Sequence, residues 1–185
     1  MRLLYILTNS KCFYNLYIIM AANIKLKEIR HPFWQVIGIG TLAGMRTSSA
    51  PAVTSQILSH HHSKRLEKSP LNFMQSKIVA NTLTVLSLSE VVMDKLPSTP
   101  NRTRPAGVIF RGLSGALAGA SIYKSSGNNV LVGSLLGAAT AVASTYLSFI
   151  VRKSAGKRTS IIDPILGGIE DALVIGVGVG LAKLA

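Results

Sequence analysis

Apolar residues fall into five stretches, 33–59, 78–93, 106–123, 130–151 and 164–185, which together take up 105 of the 185 residues. Within them the pattern is continuous rather than alternating and is rich in Gly and Ala, which predicts helices and not strands. A helix needs about 20 mostly apolar residues to cross a bilayer. Stretches 130–151 and 164–185 meet that length directly. Stretch 106–123 is slightly short, and 78–93 reaches it only when Asp94 to Leu96 are added. Arg46 and Pro51 interrupt the first stretch, which leaves a clean span and a broken or re-entrant helix both open. The expected fold is all-α: a polytopic transmembrane helical bundle of about five segments, forming a single membrane domain over 33–185. Residues 1–32 read as an N-terminal extension and a basic cytoplasmic segment. Within it, Met20-Ala21-Ala22-Asn23 followed by basic residues reads as the natural start.

Charge sharpens this picture. Twenty Lys and Arg against seven Asp and Glu give +13, yet only 15% of residues are charged, against about 25% in an ordinary soluble domain. The mean hydropathy of +0.40 excludes a disordered basic tail. The single cysteine, Cys12, excludes a disulfide scaffold. Only Arg46, Arg111 and Lys183 of the basic residues lie in the apolar stretches; the other 17 lie between or before them. With five alternating spans and a cytoplasmic N-terminus, ten loop Lys and Arg face inward and five outward. The positive-inside rule then orients the chain N-in, C-out, as a multi-pass protein of the cell (inner) membrane.

Small residues recur at four-residue spacing: Gly40 and Gly44, Gly115 and Gly119, Gly133 and Gly137, Gly176 and Gly180. Residues i and i+4 share a helix face, so each G-x-x-x-G pair, in glycine-zipper fashion, lets a neighbouring backbone approach closely. A compact bundle or a homo-oligomer is expected from them.

Five of the seven acids, Glu90, Asp94, Asp163, Glu170 and Asp171, lie within or at the edge of an apolar stretch. Ionisable groups at membrane depth are expensive and are usually paired or functional. At 1.5 Å per residue, Glu90 lies about 6 Å deeper than Asp94, and Glu170 and Arg111 each lie about 9 Å in from the proline that opens their stretch. Arg46 lies about 20 Å in from Phe33, past the midplane. An intramembrane polar cluster of Arg46, Glu90, Asp94, Arg111, Glu170 and Asp171 is expected, with Arg111 in salt-bridge range of Glu90 or Glu170. Asp163-Pro164 reads as a helix cap with Pro at the first helical position. Arg102 and Arg104, in the proline-dense segment 94–105, are candidate contacts for anionic lipid, beside ordinary positive-inside anchoring.

These residues carry a resemblance. Gly40-x-x-Ala43-Gly44-x-Arg46 with Ala50-Pro51, then Asp94-Lys95-Leu96-Pro97-x-Thr99-Pro100-x-Arg102-Thr103, then Arg111-Gly112-x-x-Gly115-Ala116, and Asp163-Pro164 with Glu170-Asp171-Ala172 are its motifs. The chain resembles, over about 33–183, a family of bacterial integral membrane proteins defined by a domain of unknown function. Met93 stands where similar sequences carry Gly before the aspartate. The resemblance implies a membrane protein and no known reaction.

Other motifs fall away. His60-His61-His62 has no Cys or carboxylate at ligand spacing, so no metal is expected. Ser114 has no His inside the apolar stretches to act as its base. No phosphate-binding loop or dinucleotide fingerprint is present, so no cofactor is expected. The basic residues are divided among loops, which argues against nucleic acid. Membrane lipids, and a second copy or a small membrane complex, are the expected partners. The leading expectation is transport or permeation of a cation or proton, with Glu90, Glu170 and Asp171 handling the ion and Arg111 as counter-charge. The alternatives are a non-catalytic scaffold or accessory subunit and, further off, a lipid-modifying membrane enzyme.

Overall fold

The computed structural model describes residues 31–60, 62–93, 105–156, 176–178 and 180–181, and every regular element there is helical. Pro32 opens α1 (Pro32–Met45), where its missing N–H leaves no bond unmade. The helix stops at Arg46, whose backbone is extended (φ −141°, ψ 124°). A turn over 46–48 leads into α2 (Ser49–His60), with Pro51 in its first turn. Pro51 therefore starts a helix instead of kinking one. A short α3 (Lys64–Glu67) and a 3-10 turn (Pro70–Gln75) lead to α4 (Lys77–Met93), α5 (Pro105–Ser125) and α6 (Val130–Gly156).

Close contacts fix the directions. α5 and α6 are antiparallel, with Gly119 against Gly133 and Gly115 against Gly137. α1 runs parallel to α6: Gly40 lies against Gly137 and Thr140, while Gly44 lies against Ala141 and Ser144. Val36, near the start of α1, approaches Gly119, near the end of α5. The Pro32 end of α1 thus shares one end of the bundle with the α5–α6 turn. After α2 the chain is back at that end, where Ser63 Oγ donates to the Ser125 carbonyl (3.0 Å) and Arg65 Nη1 to the Ser126 carbonyl (3.0 Å). At the opposite extreme, Ser114 Oγ donates to the Thr47 carbonyl, which sets the 46–48 turn near the middle of α5. Helices α1 and α2 form a hairpin that enters and leaves through one end of the bundle and stops inside it.

Of the two readings left open for the first apolar stretch, the structure has the broken one. Its helices have 14 and 12 residues, about 21 and 18 Å at 1.5 Å per residue. Either is short of the roughly 30 Å hydrocarbon core. Among the described residues, Pro105–Ser125 and Val130–Val151 are long and apolar enough to cross a membrane; Lys77–Ser89 is apolar but shorter. Stretch 164–185 lies mostly outside the described residues. Leu181 packs on Gly38, so residue 181 sits beside the half of α1 nearest Pro32. The alternating order had instead placed the two termini at opposite ends.

One apolar core joins Val36, Ile39 and Leu42 of α1, Val53 and Ile57 of α2 and Ile122 of α5. A smaller one, of Leu58, Leu66 and Met74, lies under the 60–76 connection. The outward faces are apolar as well: Ile109, Phe110 and Leu113 on α5, and Leu131, Leu135 and Leu147 on α6, are all exposed. Only 28% of the Val130–Val151 window is buried inside the protein, whereas the core helix of a soluble protein is mostly buried.

The α5–α6 turn is pinned by Gly127 in the left-handed region (φ 80°), with Gly127 N–H donating to the Lys124 carbonyl and Asn128 N–H to that of Tyr123. A Cβ at Gly127 would also meet the Arg65 guanidinium, the group that ties the end of the hairpin to this turn. Gly127→Ala is expected to cost about 1–2 kcal/mol from backbone conformation alone. Thermal denaturation in detergent should show the loss, and Arg65→Ala should remove the part due to crowding of the guanidinium.

Candidate functional site

The hairpin tip is the candidate site, and its form follows from where α1 ends. A helix terminus leaves its last carbonyls without helical partners, and away from water these must be satisfied by other groups. Here the Arg46 N–H takes the Leu42 carbonyl, and hydroxyls add bonds to carbonyls in and beside the last turn. Ser144 Oγ of α6 donates to the Thr41 carbonyl (2.9 Å), and Thr145 Oγ1 approaches that of Gly44 (3.2 Å) while also bonding Ala141 in its own helix (2.8 Å). Ser49 Oγ, in the first turn of α2, lies 2.8 Å from the Arg46 carbonyl and 3.1 Å from that of Leu42. Ser114 Oγ of α5 takes the Thr47 carbonyl. Three helices thus converge on one interrupted backbone.

Two arginines lie here. Arg46, the residue after α1, is buried, and its N–H donates to the Leu42 carbonyl (2.8 Å). Its position beyond a helix C-terminus is one that the helix dipole favours for a cation. Arg111, also buried, precedes Ser114 by three residues, so the two share a face of α5 about 4.5 Å apart along the axis. The first turn of α2 brings its N-terminal, positive end to the same place. The described part of the tip is therefore rich in positive charge, at the level where the hairpin reverses.

Of the six expected cluster residues, Arg46 and Arg111 are described and brought to this region. Glu90 lies in α4, but its side chain is outside the described residues, as are Asp94, Glu170 and Asp171 entirely. The expected pairing of Arg111 with Glu90 or Glu170 therefore falls outside them too. So do Arg102 and Arg104.

The expected packing glycines divide. A Cβ on Gly115, Gly119, Gly133 or Gly137 would overlap a backbone carbonyl of the facing helix, and one on Gly44 would overlap that of Ala141. Gly40 is closed by the Thr140 side chain. These faces are used within the chain. Among the described residues, nothing lies within 4 Å of a Cβ added at Gly176 or Gly180. Sequence reasoning missed the hydroxyls of Ser49, Ser114, Ser144 and Thr145. The available signal was the recurrence of Ser and Thr inside otherwise apolar stretches, at 47–49 and 144–145.

Among the described residues the class is an all-helical bundle with apolar outer faces and an interrupted helical hairpin held by hydroxyls. The sequence profile of DUF4126, a domain of unknown function, matches residues 34–184. The protein belongs to that family. No curated protein and no solved structure matches it.

Proposed function

We propose that the protein is a multi-pass integral membrane protein of the inner cell membrane that passes a cation or proton through the region of the hairpin tip. The observation that supports this reading is the interrupted hairpin, which ends inside the bundle. Interrupted helices at membrane depth occur where backbone is buried in protein or lines a path for solute. In this reading Glu90, Glu170 and Asp171 carry the ion, and Arg46 and Arg111 are the counter-charges. The exposed apolar residues of α5 and α6 face lipid, and Arg102 and Arg104 hold lipid phosphate.

Orientation is a separate matter. Assigned to the ends that the hairpin implies, the fifteen loop Lys and Arg divide eight against seven, not ten against five. A difference of one does not select a side by the positive-inside rule. The second reading, a non-catalytic scaffold or accessory subunit, is favoured by how completely hydroxyls and glycines lock the tip and the α5–α6 contact.

Flux decides between the two. In proteoliposomes under an imposed proton, Na⁺ or K⁺ gradient, the wild type should dissipate the gradient, and Glu90→Gln and Glu170→Gln should each slow it at least about tenfold, as loss of an ion-carrying charge predicts. A wild type that passes none of these ions assigns the protein to the scaffold reading.

A further inference from the structure

Two polar side chains inside the hairpin have been buried without a protein partner. Gln35 of α1 is 2% exposed, and neither its Nε2 nor its Oε1 makes a hydrogen bond. Thr54 of α2 is wholly buried, and its Oγ1 makes none either. The threonine is unusual within its own fold. The other five threonines in the described helices, Thr41, Thr82, Thr84, Thr140 and Thr145, each donate to the carbonyl four residues back. Thr54 has the same opportunity at Ala50 and turns its hydroxyl elsewhere.

Both groups stand one turn from residues of a single apolar core, to which both arms of the hairpin, α5 and α6 contribute. Gln35 stands one and two turns before Ile39 and Leu42 on α1; Thr54 stands one turn after Ala50 and one before Ile57 on α2. All four of those apolar residues join a single core cluster. Measured along the arms, Gln35 is eleven residues from Arg46, about 16 Å, and Thr54 is five residues from Ser49, about 8 Å. A polar group thus stands near the open end, another part-way in, and Arg46 at the tip. Leaving a buried donor or acceptor unmade costs more than the bond would gain, so packing alone would favour Leu at one site and Val at the other. Groups of this kind are satisfied by small mobile partners that themselves donate and accept.

We propose that the interior of the α1–α2 hairpin is a hydrated half-path, leading from the end of the bundle that carries Ser63 and Ser125 past Gln35 and Thr54 to Arg46. Its ligand is water, together with a small hydrated ion if the protein conducts one. The assignment deepens the transport reading and rests on it only for the ion; the water can be tested alone.

The test uses the full-length chain in sealed liposomes, with Cys12→Ser removing the only native cysteine. Single cysteines Gln35→Cys and Thr54→Cys are compared with Leu42→Cys and Ile57→Cys in the packed core, and with His62→Cys on the exposed connection. The probe is a membrane-impermeant methanethiosulfonate. Thr54→Cys should react at least tenfold faster than Ile57→Cys, and in the same fraction of molecules as His62→Cys. Equal rates at Thr54→Cys and Ile57→Cys would overturn the half-path. Thr54→Val guards against a cysteine variant that fails to fold. A hydrated hydroxyl makes the valine protein melt below the wild type, whereas one that melts above it places Thr54 in dry surroundings and overturns the proposal. Rapid labelling in a protein that carries no flux retains the hydrated hairpin and removes transport. Flux without labelling retains transport and removes this route.

Discussion

Gly137→Val is expected to abolish the folded bundle. At Gly137 an added Cβ would overlap the carbonyl of Gly115 and lie 3.3 Å from the Gly119 Cα. Both obstacles are backbone, so no rotamer change relieves them, and α5 and α6 must separate. Separation would also part Gly119 from Gly133, where the same contact recurs one turn away. It would draw Ser144 and Thr145 from the carbonyls of α1 as well. The cost should exceed about 4–5 kcal/mol, the upper range for a single substitution, against a total stability of about 5–15 kcal/mol. Purification in mild detergent should yield aggregate or no monodisperse protein. Gly176→Ala is the control, because no described residue lies within 4 Å of its added Cβ. It should be neutral or stabilise by about 0.5–1 kcal/mol through helix propensity. A Gly137→Val protein melting within about 2 °C of the wild type would contradict the backbone-to-backbone packing described for α5 and α6.

The second large effect is expected from removing the hydroxyls at the tip together, as Ser114→Ala, Ser144→Ala and Thr145→Val. The carbonyls of Thr47, Thr41 and Gly44 would then each lose a side-chain donor. Each net hydrogen bond lost costs about 0.5–1.5 kcal/mol, so the triple variant should lose about 1.5–4.5 kcal/mol. The three act on one rigid hairpin, so the singles should sum to less than the triple. Thermal melting in detergent measures this. Ser89→Ala is the matched control: its Oγ also donates to a backbone carbonyl, that of Leu86, but on an exposed face. It should shift stability by less than about 0.5 kcal/mol.

How much of this was legible in the sequence can be argued from the two arginines. Rise per residue put Arg46 about 20 Å from Phe33 and Arg111 about 9 Å from Pro105. Both distances agree with the fold. The alternating order, however, set Phe33 and Pro105 on the same side, which kept the arginines about 11 Å apart in depth. The hairpin sets the two starting points at opposite ends, so the same distances converge on one level, where Ser114 meets the Thr47 carbonyl. Local spacing gave position along each helix; direction depended on whether 33–59 runs straight or folds back. That is a tertiary fact, decided by whether neighbouring helices can satisfy the carbonyls of α1. Ser114 and Ser144 show why it was hidden. Each reads as an ordinary small residue in a membrane helix until the chain that needs its hydroxyl is placed beside it. The glycines were more readable, since a small side chain at i and i+4 has one evident use, and α5 and α6 put theirs to it. That use was internal, which removes these faces from any contact with a second copy.

The hairpin also constrains the order in which the protein can be made. The carbonyls at its tip are satisfied by hydroxyls that lie 67, 101 and 103 residues further along the chain. While 33–59 is leaving the ribosome, none of those groups has yet been synthesised. A pair of short helices with open carbonyls cannot rest in hydrocarbon on its own. Those bonds form only once α5 and α6 have been made and have packed on each other, so the hairpin docks against the finished pair. The first apolar stretch to be translated is thus among the last to take its place.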